Sequence, residues 1–73
     1  MASFKIIDAR GLSCPEPVLA TKKAVEAGGG PWQVLVDNRT ALQNVKRFAG
    51  YSGLKVSDAA QGEDFCITLS REG

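Results

Sequence analysis

The 73-residue sequence contains no histidine. Ser-His-Asp and Cys-His mechanisms are therefore excluded, and so are histidine-ligated metal centres. Cysteine is scarce as well, with Cys14 and Cys66 far apart along the chain. Two thiols cannot build a four-cysteine zinc site, and they are too few for a disulfide-dense secreted scaffold. No apolar run exceeds three residues, so neither a transmembrane helix nor the apolar core of a secretory signal can be placed. The expected compartment is the cytoplasm, with both thiols free and no membrane partner. Charge of one sign is not in excess: nine Lys and Arg stand against eight Asp and Glu, net +1. No global basic field exists to drive nucleic-acid binding.

What is present is ordinary for a folded domain: 44% hydrophobic and 23% charged residues. The length fits one domain over residues 1–73. A chain of this size buries roughly 60% of its unfolded surface, enough for one thin core. Phe4-Lys5-Ile6-Ile7 reads as a strand. Pro15 to Ala27 has helical spacing, with Val18, Thr21, Ala24 and Val25 on one face. The glycines at 28–30 and Pro31 stop it. Gln33-Val34-Leu35-Val36 is a second strand. Asp37-Asn38 offers a turn and an N-cap for a second helix, with Thr40 and Gln43 as a competing capping box. That helix would bury Ala41, Leu42, Val45, Phe48, Ala49 and Ser52, and Gly53 would end it. Leu54-Lys55-Val56 and the strictly alternating Phe65-Cys66-Ile67-Thr68-Leu69 are two more strands. The order β-α-β-α-β-β predicts an α/β (α+β) two-layer sandwich with both helices on one sheet face. The glycine run follows a helix, so it is no phosphate cradle.

Chemistry is concentrated at Cys14-Pro15-Glu16-Pro17. Proline suits the first helical position, because its missing N–H would have had no partner there. With Pro15 at that position, Cys14 takes the N-cap, where the helix dipole and free N–H groups favour a thiolate. Arg10 would help if the loop folds back, and Glu16 opposes the effect. Without histidine, no internal base suits a hydrolytic nucleophile. A thiolate can still attack a persulfide or disulfide, whose leaving group is itself a good anion. The alternative is a buried, structural Cys14.

The run Asp8-Ala9-Arg10-Gly11-Leu12-Ser13-Cys14-Pro15-Glu16-Pro17 resembles the Asp-x-Arg-Gly-x-x-Cys-Pro-x-Pro signature of TusA/SirA-like sulfur carriers. Val36-Asp37-Asn38-Arg39 and Asn44-Val45-Lys46-Arg47-Phe48-Ala49 look most like the N-terminal domain of YedF-type selenium-metabolism proteins. Those usually carry a second, DsrE-like domain, so the chain would be a stand-alone member or an excised domain. The resemblance implies a fold like the C-terminal domain of bacterial translation initiation factor three, with a mixed sheet in the order 1-2-4-3. It implies a sulfurtransferase-like carrier of sulfur, or of selenium, with a persulfide on Cys14. The donor would be a cysteine desulfurase or rhodanese-type protein and the acceptor another protein. No metal and no organic cofactor are implied. Asp8, Arg10, Gly11, Pro15, Glu16 and Pro17 would support the cysteine.

Other residues have two readings each. Leu19 falls about 140° from Cys14 on the helical wheel, as a stray exposed leucine or a docking contact. Arg39, Lys46 and Arg47 share a face of the second helix, which carries no acid. They form a solvated face or one that meets an acidic partner surface or a tRNA backbone. Cys66, with Thr68, Ile7 and Leu35, is expected on the sheet face away from the helices. There it is a small strand residue or a resolving thiol for Cys14, and that face is open to a second copy or a second domain. The rival functions are a binding or regulatory module with a structural Cys14, and a thiol redox domain using Cys14 and Cys66.

Overall fold

A computed structural model describes residues 4–12 and 15–71. Its elements are β1 (Lys5–Asp8), α1 (Glu16–Ala27), β2 (Trp32–Val36), α2 (Arg39–Tyr51), β3 (Leu54–Gln61) and β4 (Asp64–Arg71). The four strands form one sheet in the order β1-β2-β4-β3. β1 lies parallel to β2, and the other two pairings are antiparallel. This is the expected order, and both helices lie against the same sheet face. Each β-α-β crossover must be right-handed, and that places both helices on one side.

The core follows from period-two alternation in the strands and the apolar stripe of α2. Trp32, Val34 and Val36 of β2 are fully buried and pair with Leu69, Ile67 and Phe65 of β4. Ala41, Leu42, Val45 and Ala49 of α2 close over them, with Phe48 half-buried. From α1, Pro17 and Thr21 are buried. The Thr21 hydroxyl satisfies itself by donating to the Pro17 carbonyl at 2.8 Å, so a polar residue enters the core without an orphaned group. Trp32 is stacked under the Arg71 guanidinium at 5.4 Å, and Arg71 also donates to the Val25 carbonyl near the end of α1. Gly30 has a φ of +105°, and a Cβ there would stand 2.9 Å from the Trp32 ring.

Several expectations need correction. The cap of α1 is Pro15, not Cys14, because the Pro15 carbonyl accepts the first helical bond, from Leu19 N–H at 3.1 Å. The proline inside the first turn is then Pro17. In α2 the Asn38 side chain accepts from Ala41 N–H at 2.8 Å, so Asn38 wins over Thr40. Ser52 is the exposed C-cap rather than part of the buried stripe. β3 continues to Gln61, because β4 supplies a partner along its whole length. β1 starts one residue later than expected, and its register pairs Ile7 with buried Val34. Ile7 therefore packs toward the helices, and Ile6 takes its place on the open face, 63% exposed. Among the described residues no helix is long and apolar enough to cross a membrane.

Candidate functional site

The candidate site lies at the edge where β1 and β2 end and both helices begin. Parallel strands deliver their carboxyl ends to the same edge, so the loop after β1 and the turn after β2 are neighbours. Ser13 and Cys14 lie outside the described residues. The residues on either side of them are tightly held.

On the strand side, Asp8 and Arg10 form a two-pronged pair. Arg10 Nε and an Nη donate to the two Asp8 oxygens, each at 2.9 Å, and the Arg10 N–H also donates to Asp8. These hydrogen bonds, helped by the guanidinium charge, bring the Asp8 pKa down to about 2, and they raise that of Arg10. The second Nη of Arg10 reaches Asp64 at the start of β4, 3.3 Å away. Arg10 is thus committed to the carboxylates of Asp8 and Asp64 on the open-face side, and its conditional role beside Cys14 falls on a residue outside those described. Gly11 has a φ of +80°, the left-handed conformation that glycine adopts without a steric penalty. Its N–H donates to Asp37 Oδ2 at 2.8 Å. Asp37 Oδ1 accepts from the Asn38 side-chain amide at 3.0 Å. The Gly11 bond, followed by the Asn38 bond, lowers the Asp37 pKa. Leu12 is half-buried against the core.

On the helix side, Pro15 caps α1 and has no side-chain acceptor to offer. Among the described residues no side chain caps the N-terminus of α1, and its dipole favours an anion. Glu16, exposed in the first turn, and the three carboxylates around the loop oppose that tendency. Pro17 is buried and anchors the first turn in the core.

The other candidates are spread out. Leu19 is 49% exposed on α1. Lys46 is not a free cation, because Asp58 of β3 approaches its Nζ at 2.9 Å. The absence of acids on α2 is thus offset by a neighbouring strand. Arg39 lies over the Phe65 ring at 5.8 Å. Arg47 is exposed and has no ion-pair partner among the described residues. Cys66 is a free, buried thiol. It pairs with Leu35 and Ala59 on the sheet face away from the helices. The next row of that face is Ile6, Gln33, Thr68 and Ser57, mostly polar. Among the described residues no three acidic or cysteine side chains are grouped so as to hold a metal.

Asp37, Asp58 and Asp64 escape the sequence reading as site residues. The contacts of Asp37 and Asp64 span 26 and 54 residues, so no local spacing announces them. The only sequence signal was Asp37 beside the α2 cap.

With this geometry in view, comparison with known proteins places the molecule in a class of small sulfur-handling α+β domains. The family model described as sulfurtransferase TusA matches residues 5–71, and the chain belongs to that family. A Methanocaldococcus jannaschii protein named "Putative sulfur carrier protein" is 43% identical over 72 residues, covering 94% of this chain and 96% of that one. A Halobacterium salinarum protein, likewise named "Putative sulfur carrier protein", is 33% identical over 61 residues, covering 80% of this chain and 75% of that one. The crystal structure of a SirA-like protein from Desulfitobacterium hafniense superposes with a TM-score of 0.85. It is 31% identical, with 94% of this chain and all of that one covered.

Proposed function

We propose that this protein is a sulfur carrier that holds a persulfide on Cys14 and passes it between partner proteins. The observation that carries the reading is the family match over residues 5–71 together with a cysteine directly before the Pro15 cap of α1. Sulfur is the proposed cargo, because two relatives are named as sulfur carriers. The Cys14 thiolate attacks the outer sulfur of a donor persulfide. The donor's S–S bond breaks, its thiolate leaves, and Cys14–S–SH forms. An acceptor thiolate then takes the outer sulfur in the same way. No oxidant or reductant is consumed, and no general base is required once the thiol is ionised. The proposed donor is a cysteine desulfurase or rhodanese-type protein, and the compartment a reducing one. Asp8, Arg10 and Gly11 shape the loop that leads to Cys14, and Pro15 and Pro17 start the helix behind it. Arg47, exposed and without an ion-pair partner among the described residues, and Leu19, an exposed apolar residue on α1, are the docking candidates.

The test is intact mass after exposure to a persulfide-generating desulfurase. One added sulfur atom, lost in Cys14→Ser, is the expected result. Loss of two hydrogens would instead show a Cys14–Cys66 disulfide. An unchanged mass would leave a binding module with a structural cysteine.

A further inference from the structure

We propose that Asp37 is a positioning residue for Cys14. The proposal rests on the carrier reading above and adds a residue outside the Cys-Pro-x-Pro signature. The loop from Ala9 to Leu12 has one backbone contact with the neighbouring strand, Ala9 N–H to the Leu35 carbonyl at 2.8 Å. Beyond that point the backbone turns through Gly11 at φ +80° and leaves the sheet. The Asp37 carboxylate catches it there, accepting the Gly11 N–H at 2.8 Å. The other Asp37 oxygen is held by Asn38, and Asn38 in turn caps α2 through Ala41 N–H at 2.8 Å. The chain of bonds runs from the rigid N-terminus of α2 to the glycine three positions before Cys14. On the far side of Cys14, Pro15 and Pro17 are fixed by α1. Only Ser13 and Cys14 span the gap between half-buried Leu12 and Pro15. Fixing Gly11 therefore fixes one end of a stretch whose other end, at Pro15, is held by α1.

The Gly11–Asp37 bond is exposed, so water replaces it in the absence of Asp37. Its loss should cost little stability and much precision. A nucleophile held loosely spends less time in the attacking geometry, and small displacements alone can cost large factors in rate. The distinction between a positioning role and a turn-forming role lies in the acceptor oxygen. Asparagine keeps one acceptor oxygen for the Gly11 N–H and the turn preference; it removes the charge and puts a donor where the other oxygen accepted from Asn38.

The experiment compares the full chain with Asp37→Ala and Asp37→Asn. Loading of Cys14 by cysteine persulfide and its alkylation by iodoacetamide are followed by mass across pH. The Gly11 amide is followed by hydrogen exchange. Asp37→Ala is expected to slow both reactions at saturating ionisation by about tenfold and to lose Gly11 protection, with the thermal midpoint near wild type. Asp37→Asn is expected to retain both rates within about twofold and to keep Gly11 protected. Wild-type rates in Asp37→Ala, or an Asp37→Asn variant as slow as Asp37→Ala while its Gly11 amide stays protected, would overturn the proposal; a slow Asp37→Asn variant that has also lost Gly11 protection supports it. If Asp37→Ala does not fold, Asp37→Glu replaces it. Glutamate displaces the acceptor by one methylene, so slow reaction supports the proposal and wild-type speed overturns it. Alkylation reads positioning without any persulfide. A wild-type chain that alkylates at Cys14 but takes no sulfur would reject the carrier reading alone.

Discussion

Arg10 and Asp64 stand 54 residues apart in sequence and 3.3 Å apart in space. Their contact fastens the loop after the first strand to the start of the last one. Arg10 reaches Asp64 with one Nη while its Nε and the other Nη are clamped on Asp8. The loop that precedes Cys14 is thus braced from β4 as well as from the β2–α2 turn.

The Asp8–Arg10 pair gives a pH signature. The folded pKa of Asp8 is depressed from 3.8 to about 2. A depressed carboxylate contributes stability above its unfolded pKa and loses it as pH falls toward the folded value. Wild type should therefore lose its advantage over Asp8→Asn between about pH 4 and pH 2. Urea midpoints at pH 6 and pH 2 check this, and a difference unchanged between them would remove the pair from the stability account. The contribution should shrink with added salt, since the pair is exposed.

The two cysteines should separate by accessibility. Cys66 is 7% exposed and sits in the middle of β4. Its alkylation in the native protein should be at least about tenfold slower than in urea, because reaction needs local opening. Peptide mapping after a short iodoacetamide pulse reads both thiols at once. Native Cys66 reacting at its unfolded rate would contradict the packing described.

Lys46 and Asp58 should behave as an ordinary exposed ion pair. A double-mutant cycle over Lys46→Ala and Asp58→Ala should give a coupling of about 0.2–1 kcal/mol that fades with salt. Because Asp58 already offsets Lys46, reversing Lys46 should disturb sulfur transfer to an acidic partner less than reversing Arg47. Equal effects in transfer assays would return both residues to a common docking face.

Gly30 and Gly29 differ in a way that mutation can read. Both have positive φ, but a Cβ on Gly29 meets nothing within 4 Å, while one on Gly30 meets the Trp32 ring. Gly30→Ala should cost about 1–3 kcal/mol through strain and overpacking. Gly29→Ala should cost less. Denaturation in urea, followed by Trp32 fluorescence, measures both, and a Gly30→Ala cost below that of Gly29→Ala would refute the contact.

What the sequence determined by itself was set by local physics. Glycines at 28–30 and at 53 end the helices, Asn38 caps α2, and alternation from Phe65 to Leu69 gives β4 its buried side. Element order then left one handed arrangement of two helices on a four-stranded sheet, and the Asp8-to-Pro17 run pointed to the family. Tertiary structure decided the rest. Ile6 and Ile7 exchange faces on a one-residue shift of β1, because side chains alternate with period two. Arg10 turns to Asp64, Lys46 to Asp58 and Gly11 to Asp37. Each of these pairs joins elements that only the folded sheet brings together. A charged side chain chooses its partner by distance, and distance across a sheet is not written in the spacing along a chain.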